Sequence, residues 1–216
     1  GDLVGFDIDL ANAVGDELGM KVDFKPIDWD AKELELESGT IDCVWNGMSA
    51  TPERKKSMAL SDKYLNNKIV LMALKTSDTD VKKASDLANL KIGTQADSSA
   101  LKLLTSNEAY DSFKDNIKEY DKYDTAIMDL KAGRIDVIAV DQVLGEYTNN
   151  NLGGEMKECT YSLGDDYYVI GFAKDNTELR DKVNDAVKKL YENGEAGKIS
   201  EKWFGKDIVV FEPLED

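Results

Sequence analysis

The stretch IDCVWNGMSATPERKK, residues 41–56, contains an arginine suited to binding an anion. Thr51 is a good helix cap and Pro52 suits the first helical position, so a helix is predicted to begin at Pro52. Arg54 then lies in the first turn, where the helix dipole disfavours a cation by about 0.3–1 kcal/mol. A guanidinium beside free backbone N–H groups suits a carboxylate. Arg54 is therefore a candidate carboxylate-binding residue, with a solvated arginine as the alternative.

A second charged candidate, Asp141, ends the strand in GRIDVIAVD. This segment belongs to an internal repeat, because LELESGTIDCVWNGM at 34–48 is echoed by IMDLKAGRIDVIAVD at 127–141. Each copy reads as a helix end, a left-handed glycine and a strand. Ligands of open α/β sheets bind outside the carboxyl ends of strands, so Asp141 is expected to bind a cation. The alternative is that it only caps the helix predicted over 142–148.

The internal repeat fits two similar lobes, each with a small α/β sheet. Arg54 and Asp141 together would then recognise a zwitterion, with one charge on each lobe. The loop TQADSSA at 94–100 adds polar groups at a predicted helix start, and plain capping by Ser98 or Ser99 is the alternative there. Trp29 follows a predicted strand and is the preferred apolar wall for a ligand stem. The loop candidates are Gln95, Asp97, Ser98 and Ser99.

The composition and charge of the chain indicate which classes of binding partner are unfavourable. The chain has 216 residues, 42% hydrophobic and 32% charged, which is typical of a soluble globular protein. Its formal net charge of −16 makes nucleic acid and anionic membrane surfaces poor partners. No run of 18 apolar residues occurs and no leader-like segment opens the chain, so a soluble, processed form is predicted.

Metal and covalent chemistry have few candidates. The chain has no histidine, which removes the usual base of nucleophilic triads. Cys43 and Cys159 lack metal-ligand spacing and are predicted to be two unpaired buried thiols, with a disulfide as the alternative. Asp7 and Asp9 invite a metal site but lack a third oxygen ligand at loop spacing, so no metal and no cofactor are predicted.

The elements that must position these residues alternate between helix and strand. GFDIDLANAVGDELGM has helical apolar spacing, whereas KVDFKPI at 21–27 alternates as a half-buried strand does. TIDCVWNGM, KIVLMAL, LKIGTQ and DYYVIGFAK read as further strands, and residues 177–205 as an amphipathic helix pair. Such alternation predicts an α/β protein with a mostly parallel sheet.

Several of these stretches resemble one family in register along almost the whole chain. They are GFDIDLANAV, GTIDCVWNGMSATPERKKSMALSDKY, KIGTQADSSA, GRIDVIAVD and ELRDKVNDAVKKLYENGEAGKISEKWFG. The family they resemble is that of the type II periplasmic solute-binding proteins of bacterial ABC transporters, in the polar amino-acid branch, known as extracellular solute-binding protein family 3.

The resemblance implies two Rossmann-like lobes joined by two hinge strands near Asn66 to Leu71 and Asp166 to Ile170. Lobe 1 would comprise residues 1–67 and 168–216, and lobe 2 residues 68–167. Relatives begin with a strand roughly twenty residues before the element that matches VGFDIDL, so the first lobe is expected to be without its usual N-terminal strand. The tail DIVVFEP reads as a short strand that would fill the gap by pairing within the chain or with a neighbour.

The resemblance also implies roles for site residues. Arg54 would hold an α-carboxylate with Ser49, while Asp141 and the backbone at Asn46 and Gly47 would hold an α-ammonium. The positions matching Trp29, Gln95, Ser98 and Ser99 would complete the pocket. Family loops often have glycine where this chain has Asp97, and often a small residue where it has Trp45.

The function implied is that of a binding protein, not an enzyme, which captures a polar amino acid and delivers it to the membrane permease of an ABC transporter. Its location would be the periplasm, or the cell surface as a lipoprotein. A monomer is expected, with strand exchange between copies as the alternative. The competing functions are a dehydratase that uses Asp97 as its acid and the sensor domain of a receptor.

Overall fold

The computed structural model describes residues 3–214, which divide into two compact units. The first unit contains the chain up to Asn66 and from Tyr167 onward, and the second contains Asn67–Asp166. The helices are α1 (Phe6–Leu18), α2 (Lys32–Glu37), α3 (Pro52–Ser57), α4 (Ser99–Thr105), α5 (Tyr110–Phe113), α6 (Tyr123–Lys131), α7 (Gln142–Asn151), α8 (Thr177–Glu192) and α9 (Glu195–Phe204). The strands are β1 (Cys43–Ser49), β2 (Met58–Leu60), β3 (Lys63–Leu74), β4 (Ile92–Gln95), β5 (Ile117–Tyr120), β6 (Val137–Asp141), β7 (Met156–Ala173) and β8 (Val209–Glu212).

Two long strands carry the chain from one unit to the other. The boundary at 66/67 falls within β3, and the boundary at 166/167 falls within β7. Both unit boundaries therefore lie within strands, where the backbone is extended, and not within loops.

In the first unit the C-terminal part of β7 is central. Strand β1 pairs with it antiparallel from Cys43 opposite Phe172 to Ser49 opposite Tyr168, and β2 pairs with it at Met58 opposite Ala173. Strand β8 pairs with the start of β3, so the predicted C-terminal strand is confirmed and pairs within the chain. One face is covered by α1, which packs on α8, α9 and β1 and buries Phe6, Leu10 and Val14.

One predicted strand of this unit is wrong. Residues 21–28, which include KVDFKPI, have no strand conformation, and Phe24 is exposed. Alternation of apolar and polar residues gives a strand only where a neighbouring strand accepts its backbone hydrogen bonds. Among the described residues no strand pairs with this segment, so it forms no strand in spite of its alternating sequence.

The second unit has a mixed sheet. Strand β4 pairs parallel with both β5 and β6, whereas β6 pairs antiparallel with β3 from Ile69 opposite Asp141. The expectation of a mostly parallel sheet is therefore wrong, because β3 and β7 are long antiparallel strands rather than members of βαβ units. Fully buried residues on one face include Ile69, Leu71, Ile92, Val137 and Ala139.

The internal repeat appears in the backbone of both units. Gly39 after α2 and Gly133 after α6 have φ of 70° and 69°, so both helices end on the predicted left-handed glycine. The chain then enters β1 in the first unit and β6 in the second. Helix α7 extends to Asn151, three residues beyond the helix predicted over 142–148.

A buried serine joins β2 to β7 and gives a test of the first unit. The Oγ of Ser61 accepts a hydrogen bond from the Ile170 amide at 2.8 Å and donates to the Asp62 carbonyl at 2.8 Å. Because Ser61→Ala leaves a buried N–H without a partner, we expect it to lower the free energy of unfolding by about 1–3 kcal/mol. Chemical denaturation measures this, with the exposed Ser57→Ala as the control expected to stay within about 0.5 kcal/mol of wild type. Equal effects of the two variants would contradict the assignment.

Candidate functional site

Arg54 is positioned by the short helix that its sequence predicts. The Thr51 side chain caps α3 by accepting from the Arg54 amide at 3.3 Å, and Pro52 occupies the first turn. The Arg54 side chain is only 6% exposed, and its Nη1 donates to the Ser49 carbonyl at 2.9 Å. The alternative of a solvated arginine is therefore wrong. A buried cation held on a backbone carbonyl suits recognition of an anion.

Trp29 lies beside this guanidinium. The Arg54 Cζ is 5.7 Å from the centroid of the Trp29 ring, and the Nζ of Lys32 is 5.0 Å from the same ring. Lys32 is fully buried and also donates to the Trp29 carbonyl at 3.0 Å. Contacts of this kind stabilise cations by about 0.5–2 kcal/mol. Sequence reasoning missed Lys32, because a lysine at the start of a polar helix normally indicates a solvated side chain.

The end of β1 carries the three remaining first-unit residues. Ser49 is 2% exposed, Asn46 is exposed and Gly47 is half-buried. Pairing with β7 shifts register between Val44 and Met48, so the strand bulges there. Gly47 has φ of 57°, and a Cβ at this position would lie 3.2 Å from the Tyr168 ring. Glycine is favoured both by this left-handed backbone conformation and by the close approach of the ring.

Behind this bulge lies a carboxylate that sequence reasoning considered only as a metal ligand. Asp7 Oδ2 accepts from the Gly47 amide at 3.1 Å, and Oδ1 accepts from the Tyr64 hydroxyl at 2.8 Å. Burial raises the pKa of Asp7 to about 6, against the lowering effect of the Tyr64 hydroxyl, the Gly47 amide and the Trp45 indole. Burial and the charge of Asp7 raise the pKa of Tyr64, so Tyr64 stays a donor.

In the second unit, Asp141 ends β6 and occupies the cap position of α7, yet its side chain makes no capping hydrogen bond. Its Oδ1 accepts from the Asn67 side-chain amide at 2.9 Å instead, and the residue is 7% exposed. Asn67 also donates to Asp166 at 3.0 Å and accepts from the Val143 amide at 3.3 Å. The capping alternative is wrong, and the structure presents a buried carboxylate oriented by an amide.

The 94–100 loop combines local and outward-facing groups. Ser98 caps α4 by accepting from the Leu101 amide at 3.1 Å, and Gln95 donates to the Asp121 carbonyl at 2.8 Å. Ser99 is buried, at 8% exposed. Asp97 is exposed with φ of 54°, a left-handed conformation that explains why glycine suits this position.

Two buried polar atoms make no hydrogen bond of good geometry within residues 3–214, and the sequence assigned neither of them a role. They are the Nε1 of Trp45 and the hydroxyl of Tyr123. Burial raises the pKa of Tyr123 and the charge of Asp141 raises it further, whereas the hydroxyls of Thr94 and Ser98 lower it. Tyr123 is thus near the candidate residues of the second unit. Its position at the start of α6 carried no signal, because aromatic residues there normally belong to the core.

The remaining sequence expectations concern metals, thiols and membranes. Asp9 pairs with Lys202 at 2.6 Å and with Trp203 at 2.8 Å, so Asp7 and Asp9 have different partners. In the described part of the chain no acidic, cysteine or histidine cluster could hold a metal ion. Cys43 and Cys159 are free thiols, although only Cys159 is fully buried. From residue 3 to residue 214, no helix is long and apolar enough to cross a membrane.

Comparison with solved structures identifies the class of fold. The substrate-binding protein of an ABC uptake transporter from Streptococcus pneumoniae, with bound histidine, superposes with a TM-score of 0.91 at 37% identity. The match covers 97% of this chain and 87% of that one. An ancestral arginine-binding protein bound to arginine gives a TM-score of 0.85 at 37% identity, covering 95% of this chain and 90% of that one. The chain thus has the fold of the type II periplasmic binding proteins.

Comparison of sequences identifies the family. The model of the bacterial extracellular solute-binding proteins, family 3, matches residues 1–206. The L-cystine-binding protein TcyJ of Escherichia coli is 32% identical over 215 residues, which cover 96% of this chain and 77% of that protein. The arginine-binding periplasmic protein of Mannheimia haemolytica is 33% identical over 211 residues, covering 95% and 84%. This chain belongs to the bacterial extracellular solute-binding proteins of family 3.

The raised pKa of Asp7 predicts an unusual dependence of stability on pH. Its folded pKa of about 6 exceeds the ordinary value of 3.8, so between these values the folded state keeps a proton that the unfolded state releases. This contribution to stability is present at low pH and is lost as pH rises toward 6. Asp7→Asn removes this pH dependence. Its free energy of unfolding, measured relative to that of wild type, should therefore rise by about 2–3 kcal/mol from pH 4 to pH 7.

Ligand-free denaturation at several pH values measures this difference. Asp9→Asn is the matched control on the same helix, because the Lys202 and Trp203 hydrogen bonds outweigh the effect of burial and lower the pKa of Asp9. Removing Asp9 should therefore cost stability above pH 4 and give the opposite slope. A flat difference between Asp7→Asn and wild type would contradict the assigned pKa.

Proposed function

We propose that this protein captures a polar amino acid outside the cytoplasm and delivers it to the permease of an ABC transporter. The observation that carries the proposal is Arg54, a buried guanidinium held on the Ser49 carbonyl within a family whose relatives bind cystine, arginine and histidine. Amino acids share an α-carboxylate and an α-ammonium, so a common site for both charges accounts for relatives with different ligands.

The first unit would supply the carboxylate half of this site. Arg54 would bind the α-carboxylate through two N–H groups, with the hydroxyl of Ser49 as a further donor. Trp29 beside the guanidinium would give an apolar wall to the ligand stem. The backbone carbonyl of Asn46 and the neighbouring Gly47 would contribute acceptors for the ammonium.

The second unit would supply the opposite charge and the groups that distinguish side chains. Asp141, held by Asn67, would bind the α-ammonium. The loop residues Gln95, Ser98 and Ser99 would reach the ligand, and Asp97 would face a polar or cationic side chain.

Binding without catalysis is part of the proposal. The family and the relatives are substrate-binding proteins, and Asp97, the one acid nominated for dehydration, is exposed rather than enclosed. We further propose a monomer located in the periplasm or on the cell surface as a lipoprotein. Size-exclusion chromatography with light scattering tests the monomer, since a dimer would instead support strand exchange.

Arg54→Lys tests the carboxylate site. Lysine keeps the charge but loses the planar fork, so we expect affinity for the amino acid to fall by about 2–4 kcal/mol. Titration calorimetry measures the loss, and Arg134→Lys is the control. Arg134 pairs with Asp129 at 2.6 Å on α6, and its replacement should leave affinity unchanged. Wild-type affinity in Arg54→Lys would refute the assignment of Arg54.

A thermal-shift screen of the twenty amino acids and L-cystine tests the ligand class. A ligand that binds only the folded protein raises the melting temperature, by an amount that grows with its concentration over Kd. We expect at least one polar amino acid to stabilise the protein. Its α-amide, which lacks the carboxylate, and its N-acetyl derivative, which lacks the ammonium, should not. Stabilisation by either derivative to the same extent would exclude recognition of both charges.

A further inference from the structure

Asp7 accepts a hydrogen bond from one of the peptide groups that the proposed site uses as ammonium acceptors. The amide between Asn46 and Gly47 lies in the bulge of β1, between the paired positions Val44 and Met48. Its N–H donates to Asp7 at 3.1 Å instead of to a neighbouring strand. The orientation of this peptide is therefore set by a side chain from α1.

Peptide geometry carries the effect of Asp7 to the other side of the amide. All peptide bonds described are trans, so the Asn46 carbonyl points opposite to the Gly47 N–H and hence away from Asp7. An anionic acceptor on the N–H also polarises the amide and makes its carbonyl oxygen a stronger acceptor. The Asp7 carboxylate thus orients the Asn46 carbonyl and makes its oxygen a stronger hydrogen-bond acceptor.

We propose that Asp7 is a positioning residue for ligand binding, whose carboxylate orients and polarises the Asn46–Gly47 peptide so that the Asn46 carbonyl accepts the ligand ammonium. The inference rests on the proposed function. Asp7 is assigned a positioning role because each of its oxygens already accepts a hydrogen bond, one from the Gly47 amide and one from the Tyr64 hydroxyl.

The two cations that reach α1 from neighbouring helices pair with acids other than Asp7. The cation on α9, Lys202, pairs with Asp9, and the cation on α8, Lys189, pairs with Glu17. From β3 the group that faces Asp7 is Tyr64, which remains protonated and donates. The groups that face the charge of Asp7 are thus neutral donors, namely the Tyr64 hydroxyl, the Gly47 amide and the Trp45 indole, and the Gly47 amide belongs to the peptide at the site.

Protonation should therefore weaken ligand binding. The pKa of Asp7 is about 6, so its charge is present at pH 7.5 and lost below pH 6. Asp7→Asn keeps the size and an acceptor oxygen but removes the charge. We expect its affinity at pH 7.5 to be about fivefold weaker than wild type, and the two to converge at pH 5. Asp7→Ala, which also frees the peptide, should lose about tenfold or more.

Calorimetric titration between pH 5 and pH 8 measures this, with L-cystine, L-arginine and L-histidine titrated separately as probes. Asp9→Asn, from the same helix but bonded to α9, is the matched control and should follow the wild-type pH profile. Equal affinity of wild type and Asp7→Asn at pH 7.5, or no convergence at pH 5, would overturn the proposal. So would an Asp7→Ala variant that melts earlier but binds normally, since that result marks a purely structural residue.

A ligand-free measurement separates this inference from the proposed function. The amide resonance of Gly47 should shift with a midpoint near pH 6 in wild type and stay constant in Asp7→Asn. A constant resonance in wild type would overturn the role of Asp7 even if Arg54→Lys abolishes binding. If the resonance titrates but no amino acid binds, the proposed function fails and the ammonium-binding role of the peptide fails with it.

Discussion

Asp7, a carboxylate that has no ion-pair partner among residues 3–214, is the constraint around which the first unit is arranged. Enclosing such a charge is costly unless donors surround it, and here the donors are the Gly47 amide, the Tyr64 hydroxyl and the Trp45 indole. The Gly47 amide reaches Asp7 where β1 bulges, and glycine suits the φ of 57° there and the nearby Tyr168 ring. Helix α1, β1 and β3 are thereby tied together at the residues proposed to bind the ligand.

The second unit shows a related solution for Asp141. The repeat places this carboxylate at the end of β6, but Asn67 fixes its orientation and links it to Asp166 and the start of α7. In both units a short motif supplies the strand end, and a residue distant in sequence orients the polar group on it. The repeat alone specifies where a site residue lies along the chain, and not which way it points.

Much of the fold follows from local pattern. The spacing of Phe6, Leu10 and Val14, the glycines that end α2 and α6, and the capping of α3 by Thr51 all depend on interactions within a few residues, and each was predictable. The strand expected at 21–27 failed because strands depend on partners, which local alternation does not report. The parallel sheet failed for the same reason, since β3 and β7 have pairings that their own residues do not encode.

For the candidate site, too, some properties follow from residue type and order, and others only from packing. The sequence by itself determined that Arg54 begins a helix, that Asp141 ends a strand and that the chain belongs to a family of binding proteins, because residue type and order are enough for each. Only the tertiary structure decided that Arg54 is buried against Ser49 and Trp29, that Asp141 is held by Asn67 rather than capping a helix, and that Asp7 lies behind Gly47. Burial and hydrogen-bond direction depend on groups 40 or more residues apart for Asp7 and Asp141, and packing alone brings such groups into contact.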